Sequence, residues 1–272
     1  MTWIVGRALP WGYATAVSDI RVTFDNGSEV DCLQKIYEVG PSIALGFAGS
    51  VPIGFRMVER MRQLLGGLKP VQPWEPDVVA ELWPEHARKV FARFSKREQD
   101  RKCYLLMVGA HPSRDNGFAP MTYVYRFKSP DFVPQLAGAN EIVSIGIGEA
   151  FEEYSQRLRK LDERMGFDFL QLEVGQPGGS ARGLLYLISQ AVEATPKLGI
   201  SHHMHVCVAR RNEILLSNNN ARRGEIRFDK NTPHHIVESS EEDYIMPPVA
   251  QSEKEYKRML RDRGKALALA TC

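Results

Sequence analysis

The sequence has no apolar run long enough to span a bilayer as a helix, which takes about 20 residues. It also lacks an excess of either charge. Lys and Arg total 35 against 33 for Asp and Glu, a net +2, so no overall field selects nucleic acid or an anionic membrane. Cysteine is scarce: Cys32, Cys103, Cys207 and Cys272 stand far apart with no paired spacing. That excludes a disulfide framework or a zinc ribbon and fits reduced thiols. The start of the chain has no basic segment followed by an apolar one, and Pro10, Gly12 and Asp19 interrupt its apolar runs. Together these absences predict a cytoplasmic protein with neither a nucleic-acid nor a membrane partner. No internal repeat, low-complexity tract or dividing linker is present, and one domain over 1–272 is expected.

What is present is an ordinary globular composition, 43% hydrophobic and 25% charged, patterned as strands, helices, strands, helices and strands. The first fifty residues read as a meander. A strand over 2–7 turns at Pro10-Trp11-Gly12 into a second over 13–24, and Asn26-Gly27 then makes a hairpin turn into a third over about 29–39. A fourth covers 43–48. Ser50 and Pro52 form a helix start, and that helix runs to Gly66-Gly67. Val79, Leu82, His86, Val90 and Phe94 predict a second helix over 76–96 by their three- and four-residue spacing. Strands are expected at 103–109, 122–127 and 142–147, helices at 150–165 and 183–194, a hairpin of 203–209 with 213–216, a short strand at 225–228 and a final helix over 253–270. Hairpins come before any strand–helix alternation, so two antiparallel sheets packed together with helices outside fit better than a doubly wound parallel sheet.

Several residues in the first fifty carry chemistry. Thr2 opens the first strand, and removal of Met1 leaves a hydroxyl beside its own α-amine, whose ordinary pKa near 8 suits a general base. Asp19 lies in Ser18-Asp19-Ile20-Arg21-Val22-Thr23, and Lys35 precedes Ile36-Tyr37. If the first three strands share a sheet, both charges approach Thr2, and a cation there favours the neutral amine. The bland alternative is an exposed cross-strand ion pair. In Gly46-Phe47-Ala48-Gly49-Ser50 a strand passes through glycine into a helix start, a place where a backbone N–H can face a developing oxyanion. Its bland alternative is a plain turn.

These stretches, in this order, resemble the proteasome β-type subunits, including the bacterial HslV and Anbu relatives. The intervals Asp19 to Lys35 and Lys35 to Gly49 fit that pattern without gaps, while Thr2 to Asp19 is one residue longer, which an extra residue in the Leu9-Pro10-Trp11 hairpin explains. The likeness is specific over 2–66 and topological to about 228, and 229–272 is a C-terminal extension with no counterpart in the family. The resemblance implies an α+β fold, the four-layer αββα sandwich of N-terminal nucleophile (Ntn) hydrolases, two antiparallel sheets with helices on both outer faces. It implies a threonine-type endopeptidase. Thr2 is then nucleophile and base, Lys35 tunes the pair, Asp19 orients Lys35, and the Gly49 N–H lines the oxyanion hole. Val22, Leu33, Phe47 and Val51 then line an apolar specificity pocket. No cofactor or metal is implied. The partners implied are further copies of the chain in rings, peptide or unfolded-protein substrates, and an ATPase unfoldase.

The sequence departs from the family at its supporting positions. Ile147 stands at the apparent serine of a Ser-Gly pair, and no Asp follows the penultimate helix, where Glu193 to Ser201 leaves only Ser201 to fill one role. Two other readings therefore stay open, a noncatalytic ring or scaffold subunit and an Ntn amidase acting on small amides. His202, His203, His205, His234 and His235 lack carboxylates or cysteines at ligand spacing and read as partly exposed histidines. Gly146-Ile147-Gly148 is half of a dinucleotide fingerprint without its third glycine or its βαβ setting.

Overall fold

The hairpin of β1 (Trp3–Leu9) and β2 (Tyr13–Asp19) is the centre of the first sheet. It turns at 10–12, where Gly12 takes φ +84° and an added Cβ would lie 2.6 Å from Pro120 Cδ. β10 (Ile142–Gly146) pairs with the free side of β1, and β11 (Met204–Arg210) with the free side of β2. β12 (Glu213–Leu216) completes an antiparallel order β10-β1-β2-β11-β12. A second antiparallel sheet runs in sequence order through β5 (Ile36–Gly40), β6 (Ile43–Gly49), β7 (Cys103–Asp115), β8 (Pro120–Lys128) and β9 (Gln135–Leu136). Two small ribbons lie outside these sheets, β3 (Arg21–Thr23) with β4 (Glu29–Asp31) and β13 (Glu225–Ile226) with β14 (His235–Ile236). This computed structural model describes residues 2–66, 74–160, 179–197, 199–216, 225–226, 235–236 and 247–270.

The helices among the described residues are α1 (Val51–Leu64), α2 (Pro76–Phe91), α3 (Lys96–Asp100), α4 (152–160), α5 (Gly179–Ala194) and α6 (Glu253–Ala270). A 3-10 turn over Ile147–Ala150 precedes α4. Ser50 caps α1, its hydroxyl accepting the Ile53 N–H at 3.4 Å, with Pro52 in the first turn where no N–H is needed. The mixed α+β class with two antiparallel sheets is as the sequence predicts. The rest of the helix expected to Met165, the end of the strand expected to Phe228, and residue 234 lie outside the described residues.

Three expectations fail, each for a local reason. The strand expected over 13–24 splits at Ile20, whose carbonyl accepts the N–H groups of both Cys32 and Leu33 at 3.1 Å, so the chain leaves the sheet there. The strand expected over 29–39 splits likewise into β4 and β5, leaving 32–35 between them. The first three expected strands therefore do not share a sheet, and β5 begins the second one. In α2 the buried face is Pro76, Val79, Ala80, Trp83, Ala87 and Phe91, while Leu82 is 56% exposed. The helix expected over 76–96 ends at Phe91, and Ser95 caps a separate helix, α3, its hydroxyl accepting the Glu98 N–H.

Side-chain alternation assigns the strands to separate apolar clusters. Trp3, Val5 and Val206 join Leu187 and Ile188 of α5 and Tyr154 of α4. Ile4, Ala16 and Ala209 of the first sheet join Ala44, Leu106 and Val124 of the second. Leu45, Phe47 and Met107 join Ile53 and Met57 of α1 and Trp83 of α2. Alanine and glycine are frequent where the sheets meet. A Cβ on Gly46 would stand 3.0 Å from Ile4 Cδ1, and one on Gly6 would stand 2.9 Å from Leu106 Cδ2.

Candidate active site

Asp19, last residue of β2, is wholly buried and gathers the segments that matter. Its Oδ1 accepts the Trp3 backbone N–H at 2.7 Å, the first peptide N–H beyond Thr2. The same oxygen accepts from Lys35 Nζ at 3.0 Å, and Oδ2 accepts from Nζ at 3.0 Å and from the Arg21 N–H at 3.0 Å. Lys35 Nζ also donates to the Arg21 carbonyl at 2.6 Å. One carboxylate thus ties the N-terminal strand, the break after β2 and the buried ammonium of Lys35 together. Lys35 is 1% exposed. Burial pulls its pKa below the ordinary lysine value, against the opposing pull of Asp19 and weaker ones from Cys32 and Asp31. The exposed cross-strand pair that the sequence left open is therefore not what forms.

Thr2 is 6% exposed and is held from the other side by β10 and the turn beyond it. Its carbonyl accepts the Ile147 N–H at 2.8 Å. Gly146 has φ 91° and ψ −164°, a combination open essentially to glycine alone. A Cβ on it would lie 2.1 Å from the Thr2 carbonyl oxygen and 3.1 Å from Ala48 Cβ. Gly148 is bare for a similar reason, since a Cβ there would meet the Trp3 indole at 2.2 Å. Gly146-Ile147-Gly148 is therefore a cradle for Thr2 and Trp3. The sequence displayed the glycines, but only the pairing of β10 with β1 supplies their purpose.

Gly49 ends β6 next to Ala48, at the place where that strand approaches Gly146 and Thr2. It is exposed although β6 is otherwise buried, and its φ of +98° presses it against Lys102, whose carbonyl an added Cβ would meet at 2.5 Å. The structure brings Thr2, Asp19, Lys35 and the end of β6 into one region. Val22, Leu33 and Phe47 share an apolar cluster against which Val51 packs. Leu33 and Phe47 are wholly buried, Phe47 stacking on Tyr37 at 6.0 Å between centroids, so both are presented as core in this conformation.

Sequence reading missed a polar group beside the site. Asp31 of β4 accepts Ser201 Oγ at 2.6 Å and Arg21 Nε at 2.7 Å, while Arg21 reaches Glu29 at 3.1 Å and the His203 N–H donates to Ser201 Oγ at 2.9 Å. Burial pushes the Asp31 carboxyl up, but the hydrogen bonds from Arg21 and Ser201 outweigh it and leave it below its ordinary value. Burial, assisted by His202, takes His203 down to about 4. Arg21, Val192, Pro196, Lys197, Ile200 and His202 are among the residues lining an open cleft of about 470 Å³ on this side. His205 is buried, against the expectation of partial exposure.

Among the described residues, Glu75, Asp77 and His111 bring ligand atoms within 4.8 Å of one another. His111 Nδ1 accepts the N–H groups of Ser113 and Arg114 at 3.1 and 2.7 Å. Its proton therefore sits on Nε2, the nitrogen that faces Glu75 at 3.4 Å, whereas a metal-binding Nε2 needs the proton on Nδ1. Arg114 bonds both carboxylates, and the group reads as a surface clasp. Cys32, Cys103 and Cys207 are buried free thiols. Burial pushes Cys32 up to about 11 and the other two further, so none of them supplies a thiolate nucleophile at neutral pH. None of the helices among the described residues is long and apolar enough to cross a membrane.

No family model matches this chain, and no curated protein matches it.

Proposed function

We propose that this chain is an N-terminal threonine peptidase that hydrolyses peptide bonds. The observation that carries the reading is the Asp19 carboxylate, one oxygen of which accepts both the Trp3 N–H and Lys35 Nζ, setting a buried ammonium beside the residue that becomes the N-terminus once Met1 is removed. In the proposed reaction the Thr2 hydroxyl attacks the scissile carbonyl as its proton passes through a water to the α-amine. Lys35 favours the neutral amine by its charge, and Asp19 holds Lys35 in place. The oxyanion faces the Gly49 N–H. The leaving amine takes the proton, and water then hydrolyses the Thr2 ester. Of the four apolar residues expected to line the specificity pocket, the partly exposed Val51, packed on the cluster that holds buried Val22, supplies the wall that favours a hydrophobic side chain on the acyl side of the cut, with Leu33 and Phe47 as core behind it.

The three apolar clusters support the four-layer αββα order in a single domain, with 229–272 as its C-terminal extension. We further infer assembly into rings in the cytoplasm that enclose the Thr2 sites and admit peptides or unfolded chains, with an ATPase unfoldase as partner. The test pairs intact mass with fluorogenic peptide hydrolysis. Loss of Met1 and activity abolished by Thr2→Ala are expected, and a retained Met1 sinks the mechanism because it blocks the amine. A trimmed but inactive wild type instead favours a scaffold subunit, and turnover of small amides alone favours an amidase.

A further inference from the structure

Residues 247–252 do more than lead into α6. Val249 is buried against Ile20, the residue between Asp19 and Arg21. Ala250, wholly buried, runs parallel to Leu33. Its N–H donates to the Cys32 carbonyl at 2.8 Å, and its own carbonyl accepts the Gln34 N–H at 3.1 Å. From the opposite side the Ile20 carbonyl takes the N–H groups of Cys32 and Leu33. The segment 32–34 is thus gripped between residues 20 and 250, and the next residue along is Lys35. The grip is itself anchored. Tyr256 and Met259 of α6 pack on the cluster beneath Phe47 and Phe55, and the Gln251 N–H donates to Glu255 at 2.8 Å.

We infer that Val249 and Ala250 form a positioning strap, fixing the backbone at Ile20 and at Cys32 to Gln34 so that Lys35 Nζ meets Asp19 in the geometry the site requires. This rests on the reading of Asp19 and Lys35 as working parts of a peptidase, and it assigns a task to the C-terminal extension. Removing the strap would leave the Cys32 carbonyl and the Gln34 N–H without these backbone partners at a buried edge, which a folded chain does not sustain without shifting. The strap acts through Lys35 and touches no substrate.

Ala250→Pro deletes the N–H to Cys32, Ala250→Gly keeps both backbone bonds, and Val249→Ala trims the contact on Ile20. Two readouts apply to each full-length variant: kcat and KM on a fluorogenic peptide across pH, and titration of the Lys35 ε-amine by NMR of ¹³C-labelled lysine. In Ala250→Pro, kcat is expected to fall about tenfold with KM little changed, as a small misplacement of a working group produces. The Lys35 titration is expected to move up toward the ordinary lysine value as water reaches it, while Asp19, Asp31 and Cys32 still face it. Ala250→Gly is expected to match the wild type. A lowered Tm with both readouts unmoved overturns the strap, because a purely structural segment behaves that way. Should the wild type hydrolyse no peptide, that counts against the peptidase, and the Lys35 titration alone decides the strap. Should Ala250→Pro fail to fold, Val249→Ala decides it on the same readouts.

Discussion

Asp19 and Lys35 form an ion pair with almost no solvent contact, their side chains 0% and 2% exposed. In such a place the cost of breaking the pair exceeds the benefit of having made it. Lys35→Met leaves the buried Asp19 charge facing the Trp3 and Arg21 N–H groups without its cation, and the expected loss is about 3–5 kcal/mol in denaturant unfolding. The double variant Asp19→Asn/Lys35→Met is expected to recover much of that loss. A second prediction at this scale concerns His203. Unfolded histidine takes up its proton near pH 6.5, whereas the folded side chain waits until about 4, so between these values the unfolded state binds more protons. Stability therefore rises with pH across that window and falls on acidification. Thermal unfolding of wild type and His203→Gln from pH 4 to 6.5 is expected to show the slope reduced in the variant. The lowered Asp31 carboxyl acts in a separate window, below its ordinary value of 3.8.

At the scale of elements, β10 shows how a strand with little chemistry of its own shapes the site. Its last residue, Gly146, holds a backbone conformation that costs other residues about 1–3 kcal/mol, and it faces the Thr2 carbonyl with no room for a methyl group. Gly146→Ala is expected to lower stability by at least that amount and to abolish hydrolysis, with crystallography or NMR locating the displacement at Thr2. The contrast between β10 and α2 shows what the sequence disclosed. Thr2, Asp19, Lys35 and Gly49 stand out in the sequence through the family-like order of their short motifs, and the meeting of Asp19 with Lys35 and the Trp3 N–H is the part of that reading on view in the structure. The cradle of Gly146 to Gly148, the bond from Asp31 to Ser201 and the hold of Ala250 on Cys32 and Gln34 join residues far apart in the chain, and no local spacing encodes them. The buried face of α2 is likewise not singled out by the sequence. Trp83, Ala87 and Phe91 make as regular a stripe as Leu82, His86 and Val90, and only the sheet beneath selects between them.

For the whole molecule, the two sheets meet over small side chains, and Lys35 sits just before β5, the strand that begins the second sheet, while Asp19 ends a strand of the first. The pair therefore joins the end of a strand in the first sheet to the segment that leads into the second. Ring assembly is the proposal that belongs to this scale. Sedimentation velocity or mass photometry is expected to find a discrete oligomer of many copies, and a lone monomer at micromolar concentration counts against enclosure of the site.

If Thr2 is the proposed nucleophile, its deep seating also bears on when its amine is freed. Translation makes β1 first and β10 much later, so the opening strand emerges from the ribosome long before Gly146 and Ile147 exist to cover it. In the finished fold Thr2 is 6% exposed. On the proposed mechanism, removal of Met1 therefore belongs before β10 pairs with β1.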